Sequence, residues 1–303
     1  MKRLLFTATC LASIFKIYSQ NISIQSNYLK VYVSAAGSST SNNTPVILWG
    51  DECQTDNVWV KVSVPGSSNI KIKNNKSGKF LAVAGGGTSN GSKIVLYEDM
   101  GQRDILWSIE PIEYGFSKVK NVNSAKYLAV ESGATNNGAK LVLWTNNNQQ
   151  DIKWLLSDLI LSANEISQNL YFRNCNSDLY MKASNSADYS NLVQSNAEPQ
   201  EIWQIERSGA YYKIKSTTSN KYVGVSSGSN SAGADIVITP DRGQPDIQWE
   251  ILRVSPTGVK FRNKQSGLFI GVQNAATTNG SKMVQWRDEN QKDIIWKLEY
   301  RIY

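Results

Sequence analysis

Aspartate recurs at one position beside a series of tryptophans in this 303-residue chain. It stands three residues before a tryptophan at five places: Asp56, Asp104, Asp151, Asp246 and Asp293. An ionised carboxylate is a charge-assisted hydrogen-bond acceptor, suited to a pair of neighbouring hydroxyl groups. The alternative is an aspartate that caps a turn and holds the local hairpin, and the regular spacing also fits that interpretation.

Histidine is absent from the entire chain. Its absence excludes nucleophilic triads that need histidine, and histidine metal sites. Every prominent aspartate belongs to the repeated pattern, so no unrepeated acidic pair of the kind that hydrolyses glycosides stands out. We therefore predict that the protein is not an enzyme and that it has no metal or other cofactor.

The tryptophans that follow these aspartates close six copies of one sequence unit, called units 1 to 6 below. They lie 46 to 49 residues apart: Trp59, Trp107, Trp154, Trp203, Trp249 and Trp296. Within a unit, short apolar or alternating runs are separated by clusters of Gly, Asn and Ser, with turn dipeptides such as Asn90-Gly91. This pattern predicts about four strands in each unit and no helix.

The spacing between units divides the chain into two groups of three. The next copy begins 11 residues after Trp107 and 11 residues after Trp249, but 17 residues separate Trp154 from Tyr171. A six-bladed propeller gives no reason for a longer joint at the midpoint. We predict two domains, over residues 20–160 and 165–303, each with its closing tryptophans in the core.

Residues 1–19 have the features of a secretory signal peptide. Lys2 and Arg3 precede an apolar run over residues 4–15, which is too short to span a bilayer. A lipoprotein interpretation of Cys10 is the weaker alternative, because the expected preceding leucine is missing. The sequence therefore predicts secretion without a membrane anchor.

The remaining charge is a mild basic excess. Removal of the leader takes away three basic residues and lowers the formal net charge from +7 to +4. The basic residues are spread along the chain without a block, so we expect no nucleic-acid partner.

Two cysteines remain after the leader, Cys53 and Cys175, in different predicted domains. Two distant cysteines do not make a disulfide framework. Partly buried free thiols are the favoured interpretation, with a bridge between the domains as the alternative.

The unit length, the grouping in threes and the closing tryptophan resemble the ricin-B-type lectin family, whose repeats end in Q-x-W and fold as β-trefoils. The resemblance covers essentially the whole chain after the leader. It implies an all-β protein of two tandem β-trefoil domains that binds glycans or glycoconjugates. Here the ending is Q-x-D-I-x-W, as in residues 102–107. Because the family's residue three before the tryptophan commonly bonds a sugar hydroxyl, the repeated aspartates become candidate sugar ligands.

The family's stacking position lies ten residues before the closing tryptophan in most copies. It carries an aromatic residue in four units: Trp49, Tyr97, Trp144 and Trp286. Units 4 and 5 have Ser195 and Thr239 there, which are poor stacking surfaces. An exposed ring can stack on the apolar face of a pyranose, whereas ordinary packing at the rim is the alternative.

One departure from the family concerns an aspartate usually found just after the leucine of the second strand. None of the matching positions is acidic: Lys30, Ala82, Ala129, Lys182, Gly224 and Gly271. In unit 3, Glu131 offers a carboxylate from the same loop. The missing aspartates favour the competing function, a protein-interaction or scaffold role on the same fold.

Aromatic and acidic residues together rank the units as candidate carbohydrate sites. Unit 3 ranks first with Trp144, Asp151 and Glu131. Unit 6 follows with Trp286 and Asp293, then unit 2 with Tyr97 and Asp104, while Trp49 and Asp56 make unit 1 a further candidate. Unit 4 is expected to be purely structural. Several weak sites on one chain would act together on clustered glycans.

Overall fold

The computed structural model describes residues 21–27, 31–50, 53–198 and 200–300, so the predicted signal peptide at residues 1–19 lies outside it. The described chain forms two separate twelve-stranded sheets. The first sheet holds β1 (Asn21–Ser26), β2 (Val31–Ala35), β3 (Thr44–Gly50), β4 (Trp59–Ser63), β5 (Ile70–Asn74), β6 (Phe80–Val83), β7 (Ile94–Tyr97), β8 (Leu106–Pro111), β9 (Phe116–Asn121), β10 (Tyr127–Val130), β11 (Leu141–Trp144) and β12 (Trp154–Asp158).

The second sheet repeats the arrangement with units 4 to 6. It holds β13 (Leu170–Asn174), β14 (Tyr180–Ala183), β15 (Leu192–Ser195), β16 (Trp203–Ser208), β17 (Tyr211–Ser216), β18 (Tyr222–Val225), β19 (Ile236–Thr239), β20 (Trp249–Arg253), β21 (Gly258–Asn263), β22 (Phe269–Val272), β23 (Met283–Trp286) and β24 (Trp296–Tyr300). Each unit therefore contributes four strands, as its sequence pattern predicts.

In each domain the first and fourth strands of three units close a six-stranded ring. In the first domain β1 pairs with β4, β4 with β5, β5 with β8, β8 with β9, β9 with β12 and β12 with β1, all antiparallel. The second domain closes in the same way when β24 pairs with β13. The second and third strands of each unit form a hairpin outside this ring, as in β6 with β7. This is the β-trefoil, and the three-fold closure rules out a propeller.

The six closing tryptophans lie in the two cores, as predicted. All six side chains are fully buried. Each indole Nε1 donates to a backbone carbonyl of the second strand in its own unit, as Trp107 does to Leu81 at 2.8 Å and Trp249 to Val223 at 2.9 Å. A buried indole needs such an acceptor, so the bond orients the ring while its apolar surface fills the ring of strands.

Buried asparagines of the first strands join neighbouring units. Asn121 Nδ2 donates to the Asp104 carbonyl at 2.8 Å, and Asn263 Nδ2 to the Asp246 carbonyl at 2.7 Å. In the same way Asn74 reaches the Asp56 carbonyl, and Asn174 reaches the Asp293 carbonyl, at 2.7 Å. Each asparagine thus bonds the turn that precedes the closing strand of the neighbouring unit. That closing strand pairs with the asparagine's own strand, as β8 pairs with β9.

The joint between the domains contains the only α-helix among the described residues, α1 (Ala163–Ile166). It lies between units 3 and 4, outside the strands that the unit pattern predicts. Ser162 accepts from the Glu165 backbone N–H at 3.2 Å, and Glu165 accepts from the Ser162 N–H at 2.8 Å, which completes a capping box. The S-x-x-E signature is present in the sequence. No helix among the described residues is long and apolar enough to span a membrane.

Cys53 and Cys175 form a disulfide between the two domains, with a Cα–Cα distance of 6.0 Å. The favoured interpretation of free thiols is therefore wrong, and the alternative holds. Cys53 packs with Phe269, Ile294 and Ile295 of unit 6 in a small apolar cluster. The pairing depends on how a turn of unit 1 packs against units 4 and 6. The two cysteines are 122 positions apart in the sequence, so this packing cannot be predicted from their spacing.

Candidate functional site

The clearest candidate site is an open pocket at the rim of unit 6, called the unit-6 pocket. Trp286 ends β23 on one side, Asp293 stands in the 3-10 turn before β24 on the other, and Glu289 lies at the tip between them. The turn after β22, Gln273–Ala275, and Gly233 of unit 5 complete the lining. The cavity measures about 300 Å³, at the small end of ligand pockets. The structure thus brings together the aromatic and acidic residues predicted for this unit.

Unit 2 has the same construction, called the unit-2 pocket. Tyr97 and Asp104 line it together with Met100 at the hairpin tip and Gln102. Asn43 of unit 1 also lines it. Trp286 is an exposed residue at 41%, whereas Tyr97 is only partly exposed, so unit 6 has the more exposed aromatic residue.

The pocket aspartates hold the local backbone with part of the carboxylate. Asp104 Oδ2 accepts from the Val83 N–H at 3.2 Å, at the end of the second strand. Asp293 accepts in the same way from Val272, and burial raises the pKa of the Asp293 carboxyl above its usual value. The turn-holding interpretation is therefore supported. It is compatible with ligand contact, because a carboxylate has about four lone-pair directions and the backbone uses only part of them.

The second-strand position at which the family usually has an aspartate lies next to the carboxylate of the closing-turn aspartate. A Cβ atom added at Gly271 would lie 3.0 Å from Asp293 Oδ2, and one at Gly224 would lie 3.0 Å from Asp246 Oδ2. The equivalent Ala82 and Ala129 are buried. An aspartate at this position would set two carboxylates against each other, so the small residue and the aspartate of the closing turn belong together. In this protein the pocket carboxylate therefore comes from the closing turn, as in Asp293, and not from the second strand.

Unit 1 differs from the expected alignment at this position. The register pairs Ser34 with Ile47 as it pairs Ala82 with Val95, so Ser34, and not Lys30, is the equivalent residue. Lys30 itself lies outside the described residues.

The glutamines before the aspartates are structural. Gln291 Nε2 donates to the Arg287 carbonyl at 2.7 Å, and Gln291 Oε1 accepts from the Glu289 N–H at 2.6 Å. Gln149 makes the equivalent pair of bonds with Thr145 and Asn147. These bonds close the hairpin tip and so fix the direction in which the tip residue points.

In unit 3 the structure places the three predicted residues differently. Trp144 is 41% exposed at the end of β11. Asp151 is half-buried, and burial raises the pKa of its carboxyl. Glu131 pairs with Lys93 of unit 2 in an ion pair, so a ligand at Glu131 would have to displace that ammonium or share the carboxylate with it.

In unit 1 the two predicted residues are largely taken up by the fold. Both oxygens of Asp56 have internal donors, the Ala35 N–H at 3.2 Å and the Ser38 hydroxyl at 2.7 Å. Trp49 is half-buried, and its Nε1 is buried. These contacts favour the turn-holding and packing interpretations for unit 1.

Sequence reasoning missed a pocket at unit 5, where the stacking position is Thr239. This unit-5 pocket, again of about 300 Å³, is lined by Asp246, Gln244, Arg242 and Thr239. It also contains Tyr189, which comes from unit 4. No group of three or more Cys, Asp or Glu side chains suited to a metal ion occurs within the part of the chain that the structure describes.

Comparison with known protein families yields three matches along the chain. The model described as ricin-type β-trefoil lectin domain-like matches residues 15–97, 104–196 and 199–286. The second match runs from unit 3 into unit 4, so the matches follow the repeated unit across the joint between the domains. No curated protein matches the chain.

The chain is also similar to solved structures. A mosquitocidal holotoxin matches with a TM-score of 0.51 and 18% identity, over 94% of this chain and 35% of the toxin, so the chain spans about a third of that protein. The designed three-fold symmetric protein ThreeFoil matches 46% of this chain and 99% of its own, at 24% identity and a TM-score of 0.45. The agglutinin from Abrus precatorius matches 97% of this chain and 100% of its own, at 17% identity and a TM-score of 0.38.

The family matches together cover well over half of the residues, on a fold whose three-fold closure and buried tryptophans are described above. The chain belongs to the ricin-type β-trefoil lectin domain-like family.

Proposed function

We propose that this protein is a secreted, non-enzymatic lectin whose rim pockets each hold one sugar ring. Membership of a lectin-type family supports carbohydrate binding in general. The observation that carries the finer proposal is the unit-6 pocket, where the exposed ring of Trp286 and the carboxylate of Asp293 line one open cavity. Aromatic stacking and a charge-assisted acceptor are the two interactions that a pyranose needs, one for its apolar face and one for its hydroxyls.

The pocket is preorganised for this task. Gln291 holds the tip, and the Val272 N–H holds Asp293, so little backbone ordering is required when a ligand binds. The hydroxyl groups of a sugar would use the carboxylate directions left free by the backbone. Binding at one small pocket is expected to be weak.

Multivalency would compensate for that weakness. Pockets with an aromatic and an acidic residue occur in both domains, in units 2 and 6. The first domain adds the exposed Trp144 of unit 3. Two or more occupied pockets on one chain raise the avidity for clustered glycans by increasing the effective concentration. We expect the protein to agglutinate particles that carry the recognised glycan.

A glycan array on the full chain after the leader tests the proposal. Trp286→Ala should weaken binding by about 1 to 3 kcal/mol at unit 6, as for the loss of a stacked anchor residue. Tyr114→Ala is the matched control, since Tyr114 is 89% exposed and lies in a turn of the first domain. Binding that is inhibited by free sugar and reduced only by Trp286→Ala supports a lectin. A partner that binds regardless of free sugar and of Trp286→Ala would support the protein-interaction role instead.

Secretion is tested separately. Expression of the full-length gene product should yield a protein that begins near Ser19 in the medium or extracytoplasmic fraction, as mass spectrometry of the amino terminus would show. Retention of residues 1–19 on the isolated protein would contradict this part of the proposal.

A further inference from the structure

We propose that the unit-5 pocket is a composite site for an acidic saccharide, with Tyr189 of unit 4 as the stacking ring and Arg242 as the contact for the anionic group. The inference rests on the proposed lectin function and assigns a ligand class to a unit whose own stacking position, Thr239, is a poor stacking surface. Tyr189, Arg242, Thr239 and Asp246 line one cavity of about 300 Å³.

Tyr189 occupies a backbone position that disfavours its side chain. Its φ is +62°, in the left-handed region. The equivalent turn residues of the other units also have positive φ and are glycine or asparagine: Asn43, Gly91, Gly138, Gly233 and Gly280. A bulky residue in this conformation is uncommon and carries a conformational cost.

This turn position belongs to the pocket of the following unit in each domain. The Tyr189 N–H donates to the Ile238 carbonyl at 2.8 Å, one residue before Thr239. The Gly233 N–H donates to Gln285 in the same way, one residue before Trp286. Asn43 lines the unit-2 pocket, Gly233 lines the unit-6 pocket, and Tyr189 lines the unit-5 pocket. The hydrogen bond therefore delivers the turn side chain to the stacking position of the neighbour.

Ring and turn residue vary reciprocally across these pockets. In unit 6 the large Trp286 faces Gly233, where an added Cβ would lie 3.7 Å from the indole. In unit 5 the small Thr239 faces Tyr189, whose side chain is 51% exposed. Unit 4 has Ser195 together with Gly280 and thus no ring from either source. The unit-2, unit-5 and unit-6 pockets each contain one aromatic ring, and in unit 5 the ring comes from the preceding unit.

Arg242 distinguishes this pocket by charge. The equivalent tip residues are Met100 in the unit-2 pocket and Glu289 in the unit-6 pocket. The Arg242 N–H donates to Gln244 Oε1 at 2.6 Å, which fixes the tip, and the exposed side chain forms no ion pair with any residue that the structure describes. The neighbouring Asp241 is already paired with Lys213 at 2.5 Å.

The ligand class follows from that guanidinium. A guanidinium offers a planar fork of donors that matches a carboxylate with two parallel hydrogen bonds. Asp246 also lines the pocket, but it is a buried residue and the Val225 N–H bonds its carboxylate. Of the two charged residues that line the pocket, the exposed one is Arg242, which is positive. A sugar ring that bears a carboxylate satisfies both Tyr189 and Arg242, whereas a neutral sugar leaves the guanidinium in water.

The test measures binding of the methyl glycosides of glucuronic acid and N-acetylneuraminic acid by calorimetry, with methyl glucoside and methyl galactoside as neutral probes. Tyr189→Gly and Arg242→Met should each weaken acidic-probe binding by about tenfold or more, the loss expected for an anchor residue. Both replacements occur naturally at the equivalent positions of other units, so the fold should be kept. Tyr114→Gly is the matched control, because Tyr114 is an exposed tyrosine with φ +57° outside this pocket, and Arg207→Met is the exposed arginine control.

The outcomes separate this inference from the lectin proposal. Loss of acidic-probe binding in Tyr189→Gly and Arg242→Met, with both controls unchanged, supports the composite site. Neutral-sugar binding that depends on Trp286, with no acidic-probe binding, overturns the composite site and keeps the lectin. Acidic-probe binding that survives either pocket substitution, or neutral probes that bind unit 5 equally well, also overturns it. The absence of binding to any glycan overturns both.

Discussion

The tryptophans of this protein form two classes that single substitutions should separate. Trp107 is fully buried and its Nε1 bonds the Leu81 carbonyl, whereas Trp144 is 41% exposed. Trp107→Ala should lower the free energy of unfolding by about 3 to 5 kcal/mol, the usual cost of removing a large buried aromatic side chain. Trp144→Ala should change it by less than about 1 kcal/mol. Chemical denaturation of both variants checks the contrast, and equal losses would contradict the assignment of Trp144 to the surface.

Asp293 should make binding at unit 6 depend on pH. Burial raises the pKa of its carboxyl, so on acidification Asp293 takes up a proton at a higher pH than an ordinary aspartate does. The neutral form is a poorer acceptor for sugar hydroxyls, and affinity at this pocket should fall as the pH drops through the raised value.

Asp293→Asn isolates this effect. The amide can still accept from the Val272 N–H, so the fold should be kept while the charge is lost. Calorimetric titrations between about pH 7 and pH 4, across the usual range of carboxyl titration, should show weaker and pH-independent binding by the variant. If the variant kept the pH dependence of the wild type, a titrating group other than Asp293 would be responsible for that dependence.

Tyr189 offers a residue-scale test of stability as well as of binding. Its positive φ costs a non-glycine residue about 1 to 2 kcal/mol, and glycine removes that cost while adding about 0.5 to 1 kcal/mol of chain entropy. Tyr189→Gly should therefore leave the free energy of unfolding unchanged or raise it by up to about 1.5 kcal/mol. A clear destabilisation in thermal or chemical unfolding would show that the ring is part of the packing and not held ready for a ligand.

At the scale of elements, the buried asparagines decide how one unit meets the next. Asn121 donates to the Asp104 carbonyl, and its Oδ1 accepts from the Ser124 N–H at 3.1 Å. Asn121→Ala leaves these buried groups without partners and should cost about 1 to 3 kcal/mol for each unsatisfied group. Asn136→Ala, at an exposed turn residue, is the control and should be nearly neutral. Denaturant unfolding measures the free energy of unfolding of both variants. If Asn121→Ala left that free energy unchanged, the proposed role of Asn121 in joining the units would be contradicted.

At the scale of the whole molecule, the disulfide links two domains that fold around separate cores. A protease site can be inserted after Leu161, in the joint before α1. After cleavage, the two fragments should migrate together on a denaturing gel without reductant and separate when reductant is added. Cys175→Ser is the control and should separate under both conditions. Fragments of the unsubstituted protein that part without reductant would contradict the bridge.

The amino-acid sequence by itself determined the unit, its four strands, the grouping in threes and the buried place of the closing tryptophans. These features depend on periodic placement of apolar and turn residues, which is local information along the chain. It also provided the aromatic and acidic residues of the unit-2 and unit-6 pockets, namely Tyr97, Asp104, Trp286 and Asp293. The S-x-x-E signature of α1, Ser162 to Glu165, is also present in the sequence.

Only the tertiary structure decided which residues meet between units. The delivery of Tyr189 to the unit-5 pocket, the bond that Asn121 donates to the Asp104 carbonyl, and the Cys53–Cys175 bridge all join residues of different units. The stacking position of unit 5 itself holds Thr239, and the ring that lines its pocket is Tyr189 of unit 4. The physical reason is that the three-fold closure sets the rim of one unit against the turn of another, and that contact has no periodic signature in the sequence.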